Sequence, residues 1–330
     1  MIFQHIDFHN VDEIVPFEDG YRLWRLPQAV RDQVNDGLRD RVAGFNTGVE
    51  LRFRMKGDGV TLLLRSLPDQ EAQVAYIYYG SLQGGWERSA RIIGTDVTRV
   101  RIDAIDNADE LRAISQAHHL PFSSDVVRVL LPYGTCVYLG CEGDVEPPHP
   151  EDLPSKTYLA YGSSITHGGL ALGTPHTYAF RIAKTLGMDY LNKGFAGCAH
   201  AEKAMADYIA SRKDWDVCSV ELGANMLPDY EPDEFERRID AFTAVLAEDP
   251  RPVFATSIFG FNGGDQVRGQ LFRDIVRKYA EKRLIFIDGL DLLNDPTFIS
   301  QDMVHPTLDG QEQIARRWGE FMRSKLGFAE

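Results

Sequence analysis

Three residue types that together can carry out acyl transfer stand at two distant places in this chain. A lone serine, Ser164, lies in Gly162-Ser163-Ser164-Ile165-Thr166, where an apolar run over residues 157–161 ends, and Asp302 and His305 lie three residues apart near the C-terminus. A serine hydroxyl attacks an ester carbonyl when a histidine takes its proton and a carboxylate orients that histidine. The short spacing of Asp302 and His305 lets the carboxylate hold the imidazole Nδ1–H while Nε2 faces Ser164.

Two further residues could stabilise the negative oxygen that such an attack creates. Gly197 ends the segment Asn192-Lys193-Gly194-Phe195-Ala196-Gly197, and a glycine allows the backbone N–H to come close to a ligand. Asn225 supplies a side-chain amide donor. With the N–H of Ser164, these groups predict an oxyanion hole. Three loop histidines near the predicted site are expected to be mainly solvated; they are His167, His176 and His200.

The elements that must position these residues follow from the change of hydrophobic period after residue 155. Strand-like apolar runs there alternate with stretches of helical period, which indicates a flavodoxin-like, doubly wound parallel sheet covered on both faces. In such folds the active site lies outside the carboxyl ends of the strands, and each candidate residue follows a predicted strand. The predicted strands are 158–161, 190–192, 217–222, 253–259 and 284–287, and the predicted helices are 178–186, 202–211, 233–247, 266–282 and 308–325.

The N-terminal part has the period of two that is typical of strands. Val49, Leu51, Phe53 and Met55 alternate with Glu50, Arg52, Arg54 and Lys56, which predicts a strand with one solvated face. A turn at 57–59 predicts a hairpin with residues 60–65, and a short helix is expected over 111–119. Short strands without regular helices between them predict a jelly-roll-like antiparallel β-sandwich; the further ones are 74–79, 99–102, 126–131 and 136–139.

A proline-rich segment then divides the chain. Residues 147–154 contain four prolines, which leave little room for a strand or a helix. We therefore expect a β-sandwich accessory domain over 1–146, a linker over 147–154 and a catalytic domain over 155–330.

Composition excludes several classes of function. The net charge of −14 argues against binding to nucleic acid, which requires clustered lysine and arginine. No segment reaches the roughly 20 apolar residues of a membrane span, and the first residues lack the features of a signal peptide, so a soluble cytoplasmic protein without membrane contact is expected. The four cysteines have no metal-binding spacing and are expected to be free thiols. We expect no cofactor and no metal, and the sequence leaves the oligomeric state unassigned.

Four segments, which contain Ser164, Gly197, Asn225 and the pair Asp302 and His305, together resemble the sequence blocks of the SGNH, or GDSL-type, hydrolase family. The resemblance extends over residues 155–330. The resemblance implies that Ser164 is the nucleophile, that His305 is the base oriented by Asp302, and that Gly197 and Asn225 complete the oxyanion hole with Ser164. The two-domain arrangement is similar to that of bacterial carbohydrate esterases. It implies a carboxylic ester hydrolase that removes a short acyl group, above all acetyl, from a carbohydrate or similar polyol.

Two residues depart from the family pattern. Ser163 stands where Gly-Asp-Ser has its acid, and Met226 stands where Gly-x-Asn-Asp has its last acid, so two carboxylates beside the reacting groups are missing. The chain also lacks the Gly-x-Ser-x-Gly nucleophile elbow, which argues against the α/β-hydrolase fold.

Three alternatives remain open at this point. The same acyl-enzyme could serve an acyltransferase with an acceptor other than water. The glycine- and serine-rich segment 162–169 could instead bind phosphate in a flavodoxin-like module, although it lacks the lysine of a P-loop. A carbohydrate-binding protein with a vestigial hydrolase domain could use the aromatic residues Trp86, Tyr76 and Tyr78.

Overall fold

Two antiparallel β-sheets form most of the N-terminal part in the computed structural model, which describes residues 1–68, 73–86 and 88–327. The larger sheet has the order β1-β2-β5-β11-β7-β8, with β13 paired to β5 and β9 to β7, and the smaller has the order β10-β6-β12-β4-β3. The strands are β1 Ile2–Phe3, β2 Ile6–His9, β3 Glu13–Phe17, β4 Gly20–Trp24, β5 Glu50–Met55, β6 Gly59–Ser66, β7 Gln73–Tyr79, β8 Leu82–Gln83, β9 Ala90–Ile93, β10 Thr98–Asp103, β11 Val126–Leu130, β12 Cys136–Glu142 and β13 Val145–Glu146.

The two sheets share one hydrophobic core. Leu51 and Phe53 of β5 belong to the same buried cluster as Leu62 and Leu64 of β6. The predicted hairpin is wrong, because β5 pairs with β2 and β11 whereas β6 pairs with β10 and β12. Each strand buries its apolar face in the shared core, so the turn between them crosses from one sheet to the other.

Among the described residues of the N-terminal part, three α-helices accompany these sheets, and two of them were not predicted. They are α1 Gln28–Arg31, α2 Asp36–Asp40 and α3 Ala108–Ala117, the last of which confirms the short helix expected near residue 111. The segment with α1 and α2 packs on the C-terminal part, because Leu38 and Phe45 belong to the core cluster of the parallel sheet. The domain boundaries therefore stay a prediction, since residues before 146 contribute to both cores.

The C-terminal part confirms the predicted α/β fold. Its five strands are all parallel, in the order β15-β14-β16-β17-β18, and buried clusters on both faces join them to the helices. The strands are β14 Thr157–Gly162, β15 Asp189–Gly194, β16 Val217–Glu221, β17 Val253–Thr256 and β18 Ile285–Ile287, and the helices are α4 Ser164–His167, α5 Tyr178–Leu186, α6 Lys203–Ser211, α7 Pro232–Ala247, α8 Gln266–Arg283, α9 Gly289–Leu292 and α10 Leu308–Leu326.

The face of β5 that was expected to meet solvent is buried against this sheet. Glu50 and Arg52 are both 0% exposed, and the Arg52 guanidinium donates to both oxygens of Asp189, at 2.6 and 2.7 Å. Glu50 accepts from Arg52 at 2.8 Å and from Arg128 at 2.6 and 2.7 Å. We call these four residues the buried ion network. It joins the larger N-terminal sheet to β15, whose first residue is Asp189.

The remaining expectations concern cysteines and membrane helices. All four cysteines are free; Cys136, Cys198 and Cys218 are buried and Cys141 is half-buried. Within residues 1–68, 73–86 and 88–327, no helix is both long and apolar enough to cross a membrane.

Candidate active site

Ser164 lies at the first turn of α4, directly after strand β14 ends at Gly162. The helix is capped by Ser163, whose Oγ accepts the N–H of Ile165 at 3.1 Å, and it ends at Gly168 in the left-handed region, with φ 109°. Because Ser163 is the cap, the hydroxyl of Ser164 is not needed for that purpose. The Oγ of Ser164 instead bonds to Nε2 of His305 at 2.7 Å.

His305 is held by Asp302 through both its ring and its backbone. The ring Nδ1 lies 2.7 Å from Oδ2 of Asp302, and Oδ1 of Asp302 accepts the N–H groups of Val304 and His305, both at 2.9 Å. The turn between them places Met303 in the left-handed region with φ 67°. One carboxylate therefore fixes the local backbone and the orientation of the imidazole ring together.

The surroundings of Asp302 favour its ionised form. Partial burial alone would raise the pKa of this carboxyl, but hydrogen bonds from the Ser300 hydroxyl and from the backbone of His305 and Val304 outweigh it and hold the pKa well below its ordinary value. An ionised Asp302 accepts the Nδ1–H of a neutral His305, which leaves Nε2 as the acceptor of the Ser164 hydroxyl proton. This tautomer follows from the hydrogen-bond partners. The arrangement can remove a proton from Ser164.

The predicted oxyanion-hole residues follow the two strands that flank β14 in the sheet. Gly197 lies after β15 with φ 69° and is exposed, and Asn225 lies after β16. The Oδ1 of Asn225 accepts the N–H of Ala199 at 3.2 Å, which links the two loops and leaves the amide Nδ2 as a donor. His200 also touches this loop, with Nε2 3.1 Å from the carbonyl oxygen of Gly197.

One of the three loop histidines differs from the expectation of a solvated ring. His167 is buried, and its ring stacks on Tyr133 with 4.2 Å between centroids. Its Nδ1 accepts the N–H of Ala196 at 3.2 Å, so the expectation of a solvated ring is wrong for this residue. Burial, followed by the charge of Arg25, holds the pKa of His167 well below its ordinary value and keeps the ring neutral. His167 therefore helps to position the segment that ends in Gly197.

Glu221 is a buried carboxyl at the same turn that sequence reasoning missed. Its Oε2 accepts the N–H of Ser163 at 2.6 Å and the hydroxyl of Thr166 at 3.2 Å, and burial raises its pKa. A side chain at Gly162 would place its Cβ 2.6 Å from that oxygen. Within the described part of the chain, Oε1 of Glu221 has no hydrogen-bond partner. The available signal was an acid at the end of an otherwise uncharged buried strand.

The N-terminal part contacts the loop that follows the nucleophile. The hydroxyl of Tyr76 donates to the carbonyl of Leu172 at 3.0 Å, and the ring of Tyr76 lies where a Cβ at Gly173 would stand. Of the other aromatic residues considered above, Tyr78 is buried in the core and Trp86 is 94% exposed. No local pattern in the sequence indicates this contact.

Comparison with known proteins agrees with the geometry. Residues 160–313 match the model of the GDSL-like lipase/acylhydrolase family. This match includes Ser164, Gly197, Asn225, Asp302 and His305, and it indicates an ester hydrolase. No curated protein sequence is similar enough to count as a match.

Solved structures of similar fold cover most of the chain. A salicylyl-acyltransferase from a tetracycline biosynthetic pathway is 16% identical, with a TM-score of 0.77 over 98% of this chain and 96% of its own. An acetyl xylan esterase from the rumen bacterium Butyrivibrio proteoclasticus is 15% identical, with a TM-score of 0.58 over 86% and 92%. A family two carbohydrate esterase from Clostridium thermocellum, in complex with cellohexaose, is 15% identical, with a TM-score of 0.59 over 85% and 93%. At these identities the likeness is one of fold.

Proposed function

We propose that the protein is a serine esterase with Ser164 as nucleophile, because residues 160–313 match the model of the GDSL-like lipase/acylhydrolase family. One observation carries the proposal. An unbroken pair of hydrogen bonds, each 2.7 Å long, runs from the Ser164 hydroxyl through the imidazole of His305 to the carboxylate of Asp302. This is the geometry that activates a serine for attack on a carbonyl carbon.

The reaction proceeds in two steps. As the Ser164 oxygen bonds to the carbonyl carbon, His305 takes the hydroxyl proton, and it then gives that proton to the departing alcohol as the carbon–alcohol bond breaks. In the second step His305 takes a proton from water as the water oxygen bonds to the acyl carbon. It then gives that proton to the Ser164 oxygen as the bond between Ser164 and the acyl carbon breaks, which releases the acid. Asp302 keeps its charge throughout and stabilises the imidazolium that forms in each step.

The oxyanion is held by three donors in this proposal. They are the N–H groups of Ser164 and Gly197 and the amide Nδ2 of Asn225. The bond from the Ala199 N–H to Oδ1 of Asn225 supports this role, because it turns the amide so that its nitrogen is the free end. Replacing Asn225 with alanine is expected to lower turnover by about 10²- to 10³-fold.

The substrate we propose is an ester of a short acyl group, with acetyl as the first to test, on a carbohydrate or similar hydroxylated molecule. The acetyl xylan esterase and the carbohydrate esterase with bound cellohexaose support this choice by their similar fold and by the activities that their names state. The salicylyl-acyltransferase supports a second candidate, transfer of the acyl group to another alcohol, because its fold matches 98% of the chain. The acyl-enzyme is common to both reactions.

The alternative of a phosphate-binding loop has less support. Such a loop offers its backbone N–H groups to the anion, but the N–H of Ser163 is already bonded to the buried carboxyl of Glu221.

The test is covalent labelling combined with turnover. Wild type, Ser164→Ala and the control Ser163→Ala are treated with a serine-reactive organophosphonate, and intact mass and the hydrolysis of p-nitrophenyl esters of increasing chain length are measured. We expect one adduct on the wild type and on Ser163→Ala, none on Ser164→Ala, and a loss of turnover of about 10⁶-fold only in the last. Labelling of Ser164→Ala at the wild-type rate would overturn the proposal. Added alcohol acceptors then separate hydrolysis from acyl transfer.

A further inference from the structure

Large apolar side chains are exposed in the two chain segments that adjoin the reacting pair. Leu170 and Leu172 lie in the loop after the nucleophile and are 51% and 68% exposed, and Met303 and Val304 immediately precede His305 and are 52% and 46% exposed. We call these four residues the apolar rim. Exposed apolar side chains that are concentrated in one place mark a site of interaction more often than single ones do.

The backbone of the rim is strained. Leu170, Leu172 and Met303 have φ values of 60°, 57° and 67°, and they are three of the nine non-glycine residues with positive φ in residues 1–68, 73–86 and 88–327. The left-handed region is unfavourable for leucine and methionine. Strained conformations of this kind gather at sites that bind a ligand. Because the leucines are exposed, packing in the protein interior does not explain why they are kept there.

The rim lies on the side of the site from which the alcohol departs. Gly169 packs against the imidazole, since a Cβ at this residue would stand 3.1 Å from Cδ2 and 3.5 Å from Nε2 of His305. Leu170 is the next residue along the chain. In the proposed reaction Nε2 gives its proton to the oxygen of the leaving alcohol, so that oxygen must lie beside Nε2. The remainder of the alcohol then extends over the chain that surrounds His305.

The N-terminal part holds the loop that carries Leu170 and Leu172 in this position. The bond from the Tyr76 hydroxyl to the Leu172 carbonyl and the packing of the Tyr76 ring on Gly173 attach the loop to β7. Thr174, just after the loop, accepts the N–H of Gly48 at 3.2 Å and donates to the carbonyl of Leu131 at 3.3 Å. The surface is therefore preformed, which lowers the entropy lost when a ligand binds.

From these observations we propose that the apolar rim binds the alcohol part of the ester, and that this alcohol carries an apolar group, such as an aryl ring or an alkyl chain, beside the acylated hydroxyl. The inference rests on the proposed esterase function and narrows its substrate class. A small polyol such as glycerol would leave the rim in water, whereas an aryl-substituted alcohol or sugar would cover it. In acyl transfer the same surface would receive the acceptor, because the acceptor oxygen enters where the alcohol left.

The experiment compares two acetates of primary alcohols, 2-phenylethyl acetate and glycerol monoacetate, so that the acyl group is constant. The variant is Leu170→Asn with Leu172→Asn, because asparagine is polar and tolerates the left-handed region. The control is Val267→Asn, which removes an apolar side chain that is 82% exposed on α8. We expect the double variant to lose about tenfold or more in kcat/KM for 2-phenylethyl acetate. Glycerol monoacetate and the control should change less than twofold.

Two results would overturn the inference, and they differ in what they leave standing. Suppose that the wild type hydrolyses both acetates, but that the double variant either loses the same factor in kcat/KM on both of them or loses activity on neither. The proposal of an apolar alcohol is then wrong, while the esterase proposal stands. If the wild type hydrolyses neither acetate and the phosphonate does not label Ser164, both proposals fail. Retained labelling of Ser164 in the double variant shows that the nucleophile is intact and that a loss on 2-phenylethyl acetate alone comes from binding.

Discussion

The candidate active site and the buried ion network both depend on carboxylates with a lowered pKa, but the two regions achieve it differently. Asp302, whose side chain is 41% exposed, is held ionised by hydrogen bonds from neutral groups, namely the Ser300 hydroxyl and two backbone N–H groups. Asp189 is 9% exposed, and the adjacent Arg52 guanidinium outweighs the cost of its burial. A lowered pKa therefore does not by itself indicate catalysis.

The difference lies in what each carboxylate is free to do. Among residues 1–68, 73–86 and 88–327, no lysine or arginine forms an ion pair with Asp302, so its charge is available to the imidazolium that forms when His305 takes a proton. The charge of Asp189 is already neutralised by a two-point contact with Arg52, and Arg52 also contacts Glu50. We infer that the first region serves the reaction and that the second joins the two parts of the chain. Loss of activity and loss of stability should therefore separate.

Asp302→Asn gives the largest expected effect among the tests of this separation. An asparagine can still accept the N–H groups of Val304 and His305, but it favours the wrong imidazole tautomer, and turnover should fall by about 10⁴-fold. The melting temperature should change little, because the side chain is substantially exposed. Steady-state hydrolysis and thermal unfolding of the same preparation measure both. A loss of less than tenfold would show that Asp302 is not required to orient His305.

Arg52→Leu should show the reverse pattern. It leaves Asp189 and Glu50 buried without their shared cation, and breaking a buried ion pair in this way costs about 3–5 kcal/mol in the free energy of unfolding. Turnover per folded molecule should stay within about twofold. Urea unfolding measures the first quantity and phosphonate-titrated turnover the second.

The control for Arg52→Leu is an exposed ion pair in the same N-terminal part. Arg99 bonds to Glu142 at the surface, with 59% and 51% of the two side chains exposed. Arg99→Leu should leave the midpoint of urea unfolding unchanged, because exposed pairs contribute little. If the two substitutions have equal effects, the buried network does not join the two parts as inferred.

The same comparison shows what could be predicted from the sequence and what could not. The helix over 178–186 has the predicted bounds, and β14 and β15 lie within a few residues of theirs, because buried parallel strands and amphipathic helices follow periods that local sequence displays. The motif order and the rule for strand ends predict that Ser164 and His305 lie close together, and in the structure their side chains are hydrogen-bonded.

The missed features depend on contacts between distant segments. The alternation over residues 49–56 shows correctly which side chains share a face, but not that another part of the chain covers the charged face. The partner of Arg52 lies 137 residues away, and no local pattern connects the two. Glu221 was missed for the same reason, because its partner Ser163 belongs to another strand end.

The pH dependence of stability tests the contribution of Glu50 to the buried ion network. Burial opposes ionisation of Glu50, but Arg128 and Arg52 outweigh it and lower its pKa from 4.5 to about 2. Because the pKa is lower in the folded state, the stabilisation is fully present above the ordinary value and is lost as the pH falls from about 4.5 to about 2. A shift of this size corresponds to about 3 kcal/mol.

Glu50→Gln is the variant that isolates this contribution. In urea unfolding at a series of pH values, the wild type should lose stability across that range more steeply than Glu50→Gln does. Equal slopes for the two proteins would mean that Glu50 has the same pKa in the folded and unfolded chain. At neutral pH, turnover per folded molecule of Glu50→Gln should equal that of the wild type, since Glu50 belongs to the network and not to the reacting groups.

Substitution of Glu221 gives the smallest expected effect. Glu221 is buried like the carboxylates of the ion network, but it contacts the turn that carries the nucleophile, so it tests whether a buried carboxyl can affect the reaction. It contacts the turn and not the reacting atoms, so we regard it as a positioning residue. Glu221→Ala leaves the N–H of Ser163 buried without an acceptor, which costs about 1–3 kcal/mol and allows the turn to shift. If that cost is expressed in the transition state, kcat falls by about 10- to 100-fold while KM changes little.

Glu221→Gln separates positioning from charge, because the amide oxygen can still accept the Ser163 N–H. We expect it to restore kcat to within about fivefold of the wild type. Thr256→Val is the matched control, since Thr256 is buried opposite Glu221 on β17 and its Oγ1 has no hydrogen-bond partner in the described chain. It should leave kcat unchanged. If Glu221→Gln is as slow as Glu221→Ala while both remain folded, the negative charge of Glu221 matters more than the hydrogen bond, and this residue would then belong with Asp302 rather than with the buried ion network.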